Sequence, residues 1–155
     1  MTTIAANLTS MATDSMGSDG FADIPVYKVR AVDGALYGGC GSLVGITKFF
    51  DWLERGKPKK HPKHSTEESF TVLELNDNGL FLWENAYISF RCVRPYHAIG
   101  AGGQAAVTLM MHGDASPDVA VEASCDVVPS ACSRPVHVYH LADYKPKKKR
   151  KGKGR

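Results

Sequence analysis

Nowhere in the 155 residues do apolar side chains run on for the eighteen or so positions that a membrane-crossing helix needs, which excludes a helical membrane-spanning protein. The opening residues, MTTIAANLTS, have neither the basic start nor the apolar stretch of a secretory signal, so a cytoplasmic protein is expected. Cysteine is scarce. Cys40, Cys92, Cys125 and Cys132 make no C-x-x-C pair, and a chain of this length rarely needs covalent staples, so all four are read as reduced thiols. Also missing are the G-x-S-x-G turn of an α/β-hydrolase and the G-x-G-x-x-G loop of a dinucleotide site. Gly100, Gly102 and Gly103 cluster, but at the wrong spacing and outside any βαβ pattern; close packing of a helix start against a strand is the simpler use for them. The pairs His61/His64 and His137/His140 lack the geometry of a metal site, the first in a proline-bearing loop and the second on opposite faces of a strand. Neither a metal nor a cofactor is expected.

Charge is present but unevenly placed. The formal net charge is +3, yet residues 145–155, KPKKKRKGKGR, hold eight of the nineteen Lys and Arg and no acid. The remainder carries eleven basic against sixteen acidic side chains, a net −5. A like-charged block with Pro and Gly cannot bury a core. The chain is therefore expected to form one folded domain over residues 1–142, followed by a disordered basic tail over 143–155. Such a tail could make a weak, salt-dependent contact with nucleic acid, although no aromatic side chains interleave its charges for base stacking. A second basic cluster, KPKKHPKH at 57–64, contains two prolines and reads as a solvated loop.

The apolar pattern gives strands before helices, then both again. Thr3–Ala6 and Met11–Asp14 read as short paired strands, and Val26–Val32 with Ala35–Cys40 as a hairpin turning at Asp33-Gly34. Leu43, Ile46, Phe50 and Leu53 recur at helical spacing, predicting a helix over Ser42–Arg55 with Ser42 as a possible N-cap. Phe70–Asn76 and Leu80–Trp83 flank the turn residues Asp77-Asn78-Gly79, and Ala86–Val93 reads as a further strand. Gln104–His112 reads as helical. Ser116-Pro117-Asp118 places a cap, a proline and an acid where a helix start prefers them, with the helix running to about Val128. Val136–Leu141 closes as a strand. The order fits a layered α+β architecture.

One feature carries chemistry. The chain begins Met1-Thr2-Thr3-Ile4, and a small second residue permits removal of Met1. Thr2 would then hold a hydroxyl nucleophile and, in its α-amine, a base. The unperturbed amine titrates near 7.7–8.0, so a good fraction is neutral at physiological pH.

Thr2-Thr3-Ile4 opening a strand, Ala12-Thr13-Asp14-Ser15 a dozen residues on, then Tyr27-Lys28-Val29 and a glycine-rich strand end entering a helix, together resemble the proteasome β-subunit family of N-terminal-nucleophile hydrolases. Ala98-Ile99-Gly100-Ala101-Gly102-Gly103 is similar to that family's A-I-G-S-G-G element, and Ser130-Ala131-Cys132-Ser133 to its D-x-x-S element. The resemblance runs over nearly all of residues 2–141 and is nearest to HslV-type peptidases, especially abbreviated phage or prophage versions. It implies a four-layer αββα sandwich of two antiparallel sheets, lacking one of the usual helices because Gly56–Glu68 is a short basic loop. It also implies an N-terminal threonine peptidase with Thr2 as nucleophile, Asp14 and Lys28 as its charged neighbours, and Ser133 as an accessory group. Backbone donors at Gly41 and Ser42 would form the oxyanion hole, and Cys40 falls near the specificity pocket. The implied partners are a peptide or unfolded-protein substrate and further copies of the chain in a homo-oligomeric ring; the short loop argues against docking an ATPase unfoldase in the usual way. Ala101 and Ser130 depart from the family's serine and aspartate, which leaves a catalytically impaired scaffold as the alternative.

Overall fold

Strand β1 (Thr3–Asn7) sends Ile4 and Ala6 to one side and Ala5 to the other, and the two sides meet different partners. The same division repeats through the computed structural model, which describes residues 2–18, 23–25, 28–129 and 132–145. One antiparallel sheet has the order β10 (Tyr96–Gly100), β1, β2 (Ser10–Thr13), β11 (His137–His140). A second, also antiparallel, has the order β5 (Val29–Val32), β6 (Ala35–Gly41), β7 (Phe70–Asn76), β8 (Gly79–Glu84), β9 (Ser89–Arg91). A small hairpin, β3 (Met16–Ser18) with β4 (Asp23–Pro25), stands apart.

Three apolar clusters separate four layers. Ile4, Met11, Leu36, Leu73, Leu75, Leu80 and Ile99 fill the space between the sheets. Helix α1 (Leu43–Glu54) covers the outer face of the larger sheet with an aromatic cluster centred on Phe49, which is fully buried. Helices α2 (Gly103–Gly113) and α3 (Pro117–Val127) cover the smaller sheet, seated on Ala5, Ala12 and Ala98. The small side chains at these three positions let the helices lie close to the strands. The fold is the expected αββα sandwich of two antiparallel sheets. Between α1 and β7 there is only the 3₁₀ turn Thr66–Glu68, so among the described residues α1 is the single α-helix on that face. Among the described residues no helix is long and apolar enough to cross a membrane.

Local chemistry explains several joints. Ser42 Oγ accepts from the Gly45 N–H and starts α1, as expected of an N-cap. Asp33 and Gly34 both take positive φ, the backbone a tight hairpin with right-handed twist requires.

Other expectations are corrected. Residues 96–100, read only as a lead-in to glycines, form β10, which pairs with β1 along its whole length and buries Ala98 and Ile99. The strand expected over 86–93 shrinks to Ser89–Arg91, and the closing strand ends at His140, followed by the short helix α4 (Leu141–Tyr144). That helix, with the ion pair of Lys145 Nζ and Asp77 Oδ1 at 2.6 Å, carries the fold past residue 142. Residues 26 and 27 of the expected 26–32 strand, and the rest of the basic tail, lie outside the described residues.

The 57–64 loop is exposed but pinned. Trp52 Nε1 donates to Pro58 O at 2.9 Å, Lys57 lies over the Trp83 ring, His61 stacks on Tyr87, and His64 Nε2 is 2.7 Å from Tyr87 Oη. The aromatic cluster supplies surfaces that composition alone does not reveal. Finally, Cys125 and Cys132 are joined as a disulfide, correcting the reading of four thiols; Cys40 and Cys92 remain free. The end of α3 and the segment leading to β11 bring the two Cα atoms to 5.1 Å, within ordinary disulfide range.

Candidate active site

The start of the chain is held from several directions. Thr3 is fully buried, its N–H donates to Asp14 Oδ1 at 2.8 Å, and its carbonyl accepts from the Asp14 N–H at 3.2 Å. On the other side the Ala101 N–H donates to Thr2 O at 2.8 Å, and the Gly102 N–H to Thr3 Oγ1 at 3.1 Å. The glycines are required there. A Cβ on Gly100, which has φ +88°, would lie 2.0 Å from Thr2 O, and one on Gly102 would lie 2.3 Å from Thr3 Oγ1. The glycine cluster therefore does what close packing predicts: it lets the entry to α2 press against the beginning of β1. Position 101, where the resembled family has serine, contributes its backbone N–H.

Asp14 is the hub. Its carboxylate, fully buried at the end of β2, accepts from Lys28 Nζ at 2.8 Å through Oδ1 and from the Ser133 N–H at 3.2 Å through Oδ2. Asp14 directly follows β2 of one sheet and Lys28 directly precedes β5 of the other, so the ion pair joins the two layers beside Thr3. Lys28 is only 5% exposed. Burial pushes its ammonium below the usual lysine value, against the opposing hydrogen bond and charge of Asp14. The carboxylate thus balances a cation that would be costly to bury alone.

The remaining expected residues fall into place less simply. Ser133 reaches Asp14 through its backbone N–H, while its hydroxyl donates to Arg134 O at 3.2 Å. Ser42, expected as an oxyanion donor, gives its N–H to Ser69 O at 2.8 Å. Cys40 sits within the inter-sheet core near Lys28, and burial pushes its thiol up to about 11. Three clefts of about 380 Å³ each open elsewhere, at Leu80 to Pro95, beside His97, and along α3 at Asp118 and Glu122; none is lined by Cys40. Ser130 lies outside the described residues. Thr3, Gly100 and Gly102 were not singled out from the sequence as site residues, although the run of glycines before a helix was the available signal.

A buried cation–carboxylate pair thus lies against the first residues of an αββα sandwich. The chain matches no protein-family model and no curated protein. Among solved structures it is similar to BPH from Thiobacillus denitrificans in complex with epoxomicin, with a TM-score of 0.66 over 90% of this chain and 96% of that one. It is similar also to eukaryotic HslV from Trypanosoma brucei (TM-score 0.57, 89% and 99% covered) and to an Anbu Gly-1 mutant from Hyphomicrobium sp. strain MC1 (0.65, 90% and 81%). Identities of 17%, 16% and 10% make this a likeness of fold.

Proposed function

We propose that this chain is an N-terminal threonine peptidase whose nucleophile is Thr2 after removal of Met1. The observation that carries the reading is the buried Lys28–Asp14 pair, tied through Asp14 Oδ1 to the Thr3 amide and so kept beside residue 2. In this mechanism the Thr2 hydroxyl attacks a peptide carbonyl and its proton passes to the α-amine. The Lys28 ammonium favours the developing oxyanion character of Oγ and keeps the amine neutral. The amine then protonates the departing peptide nitrogen, and water hydrolyses the ester left on Thr2. Donors at the Gly41 junction would hold the tetrahedral oxyanion. The substrate class is peptide or unfolded protein, and a homo-oligomeric ring in the cytoplasm would keep the nucleophile from folded proteins.

Support for the test reagent comes from BPH, which was solved with epoxomicin. An epoxyketone needs both the hydroxyl and the free amine of an N-terminal threonine. Intact-mass analysis is expected to show loss of Met1 and, after epoxomicin treatment, one covalent adduct that Thr2→Ala lacks. Retained Met1, or equal labelling of Thr2→Ala, overturns the reading. An adduct with no hydrolysis of any peptide would favour the scaffold.

Activity should also follow a bell in pH. The rising limb comes from the α-amine as it loses its proton, near 7.7–8.0 when unperturbed. The falling limb comes from Lys28, and because burial lowers its value, that limb is expected below 10.5. Peptide hydrolysis measured from pH 6 to 11 checks this, and a plateau persisting to 10.5 contradicts it.

A further inference from the structure

We propose that the Cys125–Cys132 disulfide is a positioning strut for Asp14, so that hydrolysis by this site depends on the oxidation state of that bond. The inference rests on the peptidase reading above and adds regulation to the same site. Its basis is a short run of contacts. Ser133, next to Cys132, donates its N–H to Asp14 Oδ2 at 3.2 Å. Its carbonyl accepts from the Ser15 N–H at 3.1 Å and from Ser15 Oγ at 3.4 Å. One residue therefore grips Asp14 at its carboxylate and at the peptide that follows it.

What fixes Ser133 is α3. Ala120, Val121 and Ser124 are fully buried, which anchors the helix on the smaller sheet, and Cys125 extends that anchor covalently to Cys132. Besides the pairing of β11 with β2, a further tether is Arg134, which pairs with Glu122 and Asp126. Its side chain is half exposed, and pairs of that kind contribute little. On the α3 side the covalent tether is thus the firmer of the two. Reduction by a dithiol breaks the S–S bond, adds two electrons and two protons to give two cysteine thiols, and leaves the reductant as its own disulfide. Cys125 and Cys132 are 4% and 5% exposed, so exchange runs through local opening. In a reducing compartment a bond of this sort is typically redox-sensing or transient rather than a permanent staple.

The test compares the full-length protein in three forms: oxidised, reduced with dithiothreitol until thiol titration rises from two to four per chain, and Cys125→Ala/Cys132→Ala. On reduction, kcat is expected to fall about tenfold with KM within twofold, the effect of a loosened catalytic geometry. The alkaline limb should move to lower pH as Asp14 holds the Lys28 proton less firmly, Cys40 being the other titratable neighbour. Reoxidation should restore both, and the double variant should match the reduced form and ignore dithiothreitol. In parallel, hydrogen exchange of the Ser15 and Ser133 amides should quicken on reduction. Unchanged kcat, alkaline limb and amide exchange at four thiols per chain overturns the proposal. If the oxidised protein hydrolyses nothing, the peptidase reading falls by itself, and amide exchange decides the strut alone: faster exchange upholds it and unchanged exchange removes it.

Discussion

Asp14→Ala is expected to remove peptide hydrolysis and to cost about 3–5 kcal/mol of folding stability, the usual penalty for stranding a buried charge. Three donors lose their acceptor. Lys28 Nζ, the Thr3 N–H and the Ser133 N–H all donate to this one carboxylate, which is fully buried. At roughly 2–4 °C per kcal/mol for a chain of this size, the melting temperature should fall by about 10 °C. Lys28→Met makes the informative contrast. It takes away one donor, and Asp14 keeps two backbone amides, so the stability loss should be smaller, about 1–3 kcal/mol. Activity should be lost in both. Urea midpoints and peptide assays on the two variants separate the roles: equal stability losses would mean that the amides contribute little, and an active Lys28→Met would remove the cation from the mechanism.

Gly100→Ala is the second large effect. Its Cβ would stand 2.0 Å from Thr2 O and 2.8 Å from Thr2 C, both backbone atoms that cannot rotate aside. The residue also has φ +88°, where an L side chain is strained by about 1–3 kcal/mol. Relief requires the start of β1 to separate from β10, which moves Thr2 and breaks the Ala101 N–H to Thr2 O bond. A total loss of about 3–5 kcal/mol is expected, adding a typical overpacking cost to the strain. Gly113→Ala is the control: nothing lies within 4 Å of its Cβ position at the end of α2, so denaturant midpoints should be unchanged or slightly raised. Comparable losses in both variants would mean that glycine itself, and not the close approach to Thr2, governs position 100.

Much of this architecture was legible in the sequence because local rules set it. The cap at Ser42, the turn at Asp33-Gly34 and the hairpin of β7 and β8 follow from side-chain chemistry within a few residues. The pairing of Asp14 with Lys28 is different. Fourteen positions and a change of sheet separate them, so no periodicity brings them together, and resemblance of motif order was what nominated both. Contacts decided by tertiary placement were not legible. The disulfide follows from where α3 ends, Ser133 meets Asp14 through its backbone amide, and the Ser42 N–H is taken by Ser69. Likewise β10 lacks a turn signal ahead of it and shows no alternation of buried and exposed positions that would mark it as a strand.

The location of β1 bears on how the protein should be produced. It is an interior strand, flanked by β10 and β2, and residue 2 leaves it against the glycine junction. An affinity tag or fluorescent partner fused upstream would have to emerge through that crowded spot and would also cap the amine. Samples for the assays above are best made with the purification handle at the opposite terminus, or with a removable one whose cleavage leaves threonine first.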